Sequence, residues 1–300
     1  MKKTVFVILI IGVSLLLIGG TVFVIGMIKL GWDFNALATV DIIEESASFE
    51  SKDVQEIILD VNTADIKIIR AEDDKIAVNY FIVKNKKGEA VREIIPTLSE
   101  GKLKCIDDEK NSSFMDLSFT KEGNVIVKIP ADKVTTISIK SSTGDVTFGE
   151  AGKEVKVTAL NITTTTGDIT IDGKTLCENN VSIERSTGDI TINGELVSGG
   201  NVSFKATTGD VKACAPIKAK EIVIKNSTGK VDCTDPIEFD SLDVSVSTGN
   251  VSIKASGSMT QYTYLYETST GDSNLPIFTF GDKVIKIHTS TGDIRLYFEE

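Results

Sequence analysis

The sequence predicts an all-β protein: a parallel β-helix-like solenoid with coils of about 21 residues, preceded by one N-terminal transmembrane helix. Three observations carry this. A short phrase ending in Thr-Gly recurs eight times at nearly fixed spacing, the signature of a repeat architecture. The residues flanking each of these glycines alternate apolar and polar, which is the strand period. A long uncharged run opens the chain. The 300 residues would ordinarily suggest two domains, but a repeat array makes length a count of coils.

Residues 4–28 contain no charge. As a helix they span roughly 37 Å, against about 30 Å of hydrocarbon. Lys2 and Lys3 precede the run, and beyond Lys29 the nearby charges are acidic. Basic residues stay on the cytoplasmic side, so the remainder of the chain is expected outside. The competing reading is a cleaved signal peptide, whose apolar region is usually only about 7–15 residues. Ala36-Leu37-Ala38 resembles a cleavage site but lies behind Lys29 and Asp33. Residues 1–32 are therefore taken as cytoplasmic tip and anchor, and 33–50 as a linker or cap. The solenoid is expected over 51–300, with irregular coils in 51–135 and regular ones in 136–300.

The repeated corners are Gly144, Gly167, Gly188, Gly209, Gly229, Gly249, Gly271 and Gly292, each preceded by Thr. Seven and five residues before them stand pairs such as Ile137/Ile139, Leu160/Ile162 and Ile222/Ile224; two and four residues after stand pairs such as Val146/Phe148 and Ile169/Ile171. Of these flanking positions only Ser273 is polar. Each repeat thus reads as two short strands around a Thr-Gly corner, with one face buried. A Gly-Asp hairpin in an antiparallel meander would also fit the corner, but the fixed period favours a solenoid whose equivalent residues stack every ~4.8 Å. A decayed copy, Asn62-Thr63-Ala64-Asp65, lies 80 residues before Gly144. That gap leaves room for about four irregular periods, giving eleven or twelve coils and a rod of roughly 55 Å.

Glycine suits the corner because it accepts positive φ. The residue after it is Asp six times, with Lys230 and Asn250 as exceptions. A column of carboxylates could hold Ca²⁺ or simply accept hydrogen bonds that close the turn. Stacked like charges in water cost only about 0.9 kcal/mol each, so the turn role needs no ion, and no metal site is assigned.

Composition narrows the chemistry further. His288 is the only histidine and is expected on an outward strand position. This removes multi-His metal sites and leaves one candidate for histidine-based catalysis, with no nucleophile motif beside it. The formal charge of −11 argues against nucleic acid. Residues 33–300 alone carry 29 basic and 43 acidic side chains, a formal −14, so the exterior part is not expected to lie flat on an anionic membrane. Cys105, Cys177, Cys214 and Cys233 fit no metal or redox spacing, though disulfides among them stay open. A paired-carboxylate glycosidase has no distinguishable pair here. The Thr ladder lacks the Thr-x-Thr flat face that ice binding would use. No catalytic residue and no cofactor is assigned.

Two passages carry a family resemblance: Ile57–Val78 (IILDVNTADIKIIRAEDDKIAV) and Gly123–Phe148 (GNVIVKIPADKVTTISIKSSTGDVTF). They resemble the bacterial β-strand-repeat family labelled "putative adhesin", a domain of unknown function often preceded by a membrane helix. The resemblance covers about residues 50–300. It implies a β-solenoid, surface display and, for some relatives, roles in envelope-stress signalling; it brings no catalytic residues. The expected function is a membrane-anchored extracellular binding or adhesion module without catalytic activity. Expected partners are an envelope polymer, a glycan or another membrane protein. An envelope-stress sensor acting through a membrane partner is the alternative, and a polysaccharide-active enzyme the third reading. The short tip Met1-Lys2-Lys3 favours display over sensing.

Overall fold

The computed structural model describes residues 2–29, 40–109, 123–133, 135–275 and 280–299. The chain opens with a helix, Lys2–Lys29, whose side chains are described for Gly12 and for Ser14 to Lys29. Among the described residues no helix is long and apolar enough to cross a membrane. Apart from two short 3-10 helices, Ser51–Asp53 and Met259–Gln261, the regular structure described after the helix is strand, joined into one continuous hydrogen-bonded system.

A regular coil has three strands. The first is long and ends at the glycine corner, as in Ala159–Thr166. The second is short and follows the corner, as in Ile169–Ile171. The third, as in Lys174–Cys177, leads back to the next coil. Each pairs in parallel with its equivalent one coil on, in register: Leu160 with Val181, Ile169 with Ile190, Lys174 with Glu154. The alternation seen in the sequence is the reason. Along Asn201–Thr208 every second side chain up to Ala206 is buried, so a one-residue slip would expose a whole apolar set. The columns seven residues before the corner (Ile137, Leu160, Val181, Val202, Ile222, Leu242) are fully enclosed. Each such aliphatic side chain contributes roughly 1.5–3 kcal/mol.

The stacking order departs from the chain order at both ends. Glu56–Thr63 pairs directly with Thr136–Thr143, so Ala64 is the immediate neighbour of Gly144 although they stand 80 positions apart in the sequence. The chain in between goes to the other side of that first coil. There Lys102–Glu109 and Asn124–Ile129 form an outer layer, closed by the antiparallel strands Lys75–Asn85 and Val40–Glu50. The stretch read as linker or cap therefore contains a cap strand. At the far end Lys283–Thr291 inserts between Ser241–Thr248 and Tyr262–Thr270. The last corners run Gly249, Gly292, Gly271 in space. The described residues form ten stacked layers. That spans about 43 Å between outer strands at ~4.8 Å per step, fewer and shorter than the spacing alone suggested, because the 80-residue gap is an excursion and not a run of intermediate coils.

The terminal layers also change their core. Phe239, Tyr262, Tyr264 and Phe298 form a tilted ring cluster with centroids 5.5–6.4 Å apart. The Tyr264 hydroxyl donates to the Met259 carbonyl at 2.6 Å and the Tyr262 hydroxyl to that of Ser256. Ser273, the one polar residue in the flanking columns, lies in the outermost layer, where its Oγ accepts the Leu275 N–H at 3.1 Å.

Candidate binding face

The corner sets the geometry of the adjoining face. All eight repeat glycines hold φ between +119° and +150°, a region side chains rarely adopt. A second constraint is packing between layers. A Cβ on Gly209 would lie 1.9 Å from the Gly188 carbonyl oxygen, and one on Gly167 2.2 Å from that of Gly144. The corners nest so closely that only hydrogen fits.

The residue after the glycine stitches the corners together. The Asp65 carboxylate accepts the Asp145 N–H at 2.8 Å, Asp145 that of Asp168 at 2.7 Å, and Asp168 that of Asp189 at 2.6 Å. Asp189 then accepts from Asp210, and Asp210 from Lys230. Lys230 has no acceptor oxygen, and the ladder resumes with Asn250 accepting from Asp293, and Asp293 from Asp272. The aligned carboxylates thus serve the turn, each spending an oxygen on the next backbone N–H. Burial alone would raise the Asp189 pKa, but the Asp210 N–H and the Lys212 ammonium outweigh it and hold the group below its ordinary value.

Three residues before each corner lies an inward column that sequence reading passed over: Ser141, Thr164, Arg185, Ala206, Asn226, Val246 and Thr289, all buried, and the half-buried Thr268 of the outermost layer. Arg185 is only 4% exposed. It reaches under the corner of the next layer, over the small Ala206, and its Nη2 donates to the Thr208 carbonyl at 3.3 Å. Its Nε and Nη1 have no hydrogen-bond partner among the described residues, nor has Oδ1 of Asn226. Burial pushes the guanidinium pKa down, opposed by the carboxylates of Asp189, Asp168 and Asp210. The signal was in the sequence: the residue three before the corner is otherwise uncharged, and Arg185 breaks the pattern.

The last two side chains before the glycine both face solvent, because the ladder skips the residue between the two paired positions. From Ser142-Thr143 onward they are Ser-Thr or Thr-Thr in all eight repeats, and exposed in each. The threonines are in register from Thr63 to Thr270. Beside this hydroxyl ridge runs a groove of about 390 Å³, flanked by Glu184, Lys205 and Lys225 on one side and by Ser186, Thr207 and Ser227 on the other. Lys205 is ion-paired with Glu184. A second groove of about 380 Å³ lies on the other side of the column that holds Glu184, Lys205 and Lys225, lined by Asp243, Leu265, Lys286, His288 and Glu267. His288 does sit on the outward side, with Nδ1 3.5 Å from the Glu267 carboxylate.

All four cysteines are free thiols. Cys105 and Cys233 are enclosed, and burial pushes their pKa up to about 12; Cys214 is exposed.

The chain is similar to several solved structures at low identity. A putative adhesin from Bacteroides fragilis matches with a TM-score of 0.46 at 15% identity, over 85% of this chain and 97% of that one. A putative lipid binding protein from Parabacteroides distasonis matches with a TM-score of 0.44 at 12% identity, over 84% and 96%. A putative cell adhesion protein from Clostridium sporogenes matches with a TM-score of 0.32 at 12% identity, over 86% and 100%. No curated protein matches the chain. The Toastrack DUF4097 family model matches residues 54–297, from the first buried strand to the last, and the chain belongs to that family of unknown function.

Proposed function

We propose that this protein is a membrane-anchored binding or adhesion module, displayed outside the cell and without catalytic activity. The observation that carries the reading is the exposed face beside the corner. Eight successive Ser/Thr-Thr pairs and a groove repeat at one interlayer step on a backbone held rigid by nested glycines. A surface with translational repeat suits a partner with translational repeat, because each weak contact, once made, raises the effective concentration of the next. The carboxylates most regularly aligned in the molecule accept backbone N–H groups, which favours a structural duty for them over acid–base work. The anchor rests on the uncharged run 4–28 behind Lys2 and Lys3, within a helix of 28 residues.

The test is a polymer and glycan array probed with the full chain and with a variant lacking 189–209, one coil from corner to corner. Retention of an envelope polymer that weakens when the coil is removed supports the reading. Equal retention by both chains, or none by either, refutes it. Extraction of the full chain from membranes by alkaline carbonate would refute the anchor.

A further inference from the structure

Each corner glycine donates its N–H to the threonine carbonyl of the layer beyond. Gly144 donates to Thr166 and Gly167 to Thr187, and the series ends with Gly249 to Thr291 and Gly292 to Thr270. Two residues on, Val146 donates to the Asp168 carbonyl, and that series ends with Ile294 donating to Asp272. Gly271 closes the stack. Among the described residues its N–H and that of Ser273 have no acceptor. The strand that leads into it, Tyr262–Thr270, pairs along one edge only, with Lys283–Thr291. Alternate residues of a parallel strand turn their N–H and C=O to opposite sides. Leu160, seven before its corner, donates to the Asn180 carbonyl of the layer beyond. By the same parity Tyr264 and Tyr266 turn their backbone groups to the open end of the rod. An edge of this kind is completed by another strand.

Two further features set this end apart. Among the described residues of 107–258 no large aliphatic or aromatic side chain is exposed, whereas Met259, Leu265, Phe280 and Tyr297 are, Phe280 at 91%. Leu265 lies on the outermost strand and Met259 just before it. Phe280 adjoins it through the Gly281 N–H, which donates to Thr263 Oγ1, and Tyr297 is on the strand that bridges to Ser273. Clustered apolar exposure marks a protein contact. The second feature is charge, which ordinarily blunts an open edge. At the opposite end Val40–Glu50 carries four acidic residues in eleven, but Tyr262–Thr270 carries one, Glu267, in nine. In a strongly acidic domain this edge is where two copies repel each other least. A two-fold axis lays the strand antiparallel to itself. Centred on Leu265, that register lets Tyr264 and Tyr266 exchange N–H···O bonds with Tyr266 and Tyr264 of the copy. Leu265 then faces its own equivalent and Glu267 faces Thr263, so no like charges oppose. An end face of about 30 Å by roughly 20 Å buries about 1,200 Å² over two copies, the lower limit of a specific interface.

We propose that the distal end of the rod is a homotypic docking site, where Tyr262–Thr270 pairs antiparallel with the same strand of a second copy. Val40–Glu50 closes the other end, so the two rods join tip to tip. The partner is protein and the site is the end of the rod, so the proposal goes beyond polymer binding on the flank and stands independently of it. The experiment is sedimentation equilibrium of the full chain in detergent, with cysteine cross-linking to read the register. The chain should dimerise at micromolar concentration. Leu265→Lys sets two ammonium groups face to face and should weaken the dimer about tenfold. Val223→Lys, in the same column three layers away, should leave it unchanged. A Cys214→Ser background removes the exposed native thiol. In it, Leu265→Cys should give a disulfide-linked dimer under copper-catalysed air oxidation, because directly opposite residues in a non-hydrogen-bonded pair stand about 4.5 Å apart at Cα. Ser245→Cys, on the flank, should not. A monomer throughout, a dimer that Leu265→Lys leaves unchanged, or cross-linking no faster at Leu265→Cys than at Ser245→Cys overturns the proposal.

Discussion

Replacing Gly209 by Ala tests the account of the corner, because two costs meet there. The residue sits at φ +122°, where a Cβ costs about 1–2 kcal/mol. The added methyl would also lie 1.9 Å from the Gly188 carbonyl oxygen and 2.4 Å from Nη2 of Arg185. The arginine could swing away, but the carbonyl is backbone, fixed by the parallel ladder on either side. Relief requires the two layers to part, an overpacking cost of about 1–3 kcal/mol. Against this, alanine narrows the unfolded ensemble by about 0.4–1 kcal/mol. The expected loss is about 2–4 kcal/mol. Gly152→Ala is the control: it has φ +77° but nothing within 4 Å of its Cβ, so it carries only the backbone cost, about 1 kcal/mol after the unfolded-state gain. Urea unfolding of both full-length variants, followed by circular dichroism, gives the comparison. If Gly209→Ala loses no more stability than Gly152→Ala, the close nesting of corners is not what demands glycine, and the argument fails.

Other consequences can be checked in the same assay or simpler ones. Asp189→Asn keeps an acceptor for the Asp210 N–H, as Asn250 does for Asp293, and should cost under about 1 kcal/mol, whereas Asp189→Ala should cost about 1–3 kcal/mol by orphaning the donor. Because the folded Asp189 pKa lies below its ordinary 3.8, its contribution is complete above that value and is lost as pH falls through the folded pKa; acid titration of stability should lose this component in Asp189→Asn. Arg185→Met should be neutral or stabilising by about 1 kcal/mol, since the apolar chain fills the space without a buried charge, while Arg185→Ala should lose about 2–4 kcal/mol to a cavity; equal losses in both would show that the guanidinium charge is needed by the carboxylates. Iodoacetamide at pH 8 should modify Cys214 in the native protein and all four thiols after unfolding, and rapid native labelling of Cys233 would contradict its burial.

The regular coils were legible because each constraint in them is local and repeated. A glycine at every corner and an apolar residue at every second flanking position leave one register in which all layers can be buried. The order of the layers was not legible at the ends. Ala64 carries the corner pattern without its glycine, and its distance from Gly144 in sequence says nothing about which side the intervening chain takes. Parallel pairing needs only matched columns, and Glu56–Thr63 offers them on both edges. The same holds for Lys283–Thr291, whose pattern fits equally before or after Tyr262–Thr270. What tips the order lies in bulk: the rings of Tyr262 and Tyr264 pack with Phe239 and Phe298 at the end of the rod, where large side chains need not match an aliphatic neighbour on both sides. Of the candidate face, the hydroxyl columns could be read directly. The neighbours of His288 could not, because it joins layers whose order the sequence conceals.

That concealed order bears on how the rod ends. A parallel stack built strictly in sequence would finish with its last strand as the outermost edge, secured on one side only. Here Lys283–Thr291 is interior, held between Ser241–Thr248 and Tyr262–Thr270, while Ile294–Glu299 pairs along Val251–Ser256 and meets Ser273 in a single bridge on its other side. At the other end Glu56–Thr63 is likewise flanked on both sides, while antiparallel strands close the layer beyond it. Both ends of the repeat array are thus locked by a segment that must leave and return. Such locks lengthen the loops that folding has to close, a cost that grows only about 0.6 kcal/mol per doubling of length. In exchange, the corner-side strands cannot peel off in reverse chain order, since removing Lys283–Thr291 means opening the stack from within. For a rod whose corner ladder already breaks between Lys230 and Asn250, this confines unravelling to where a whole terminal unit must come away together.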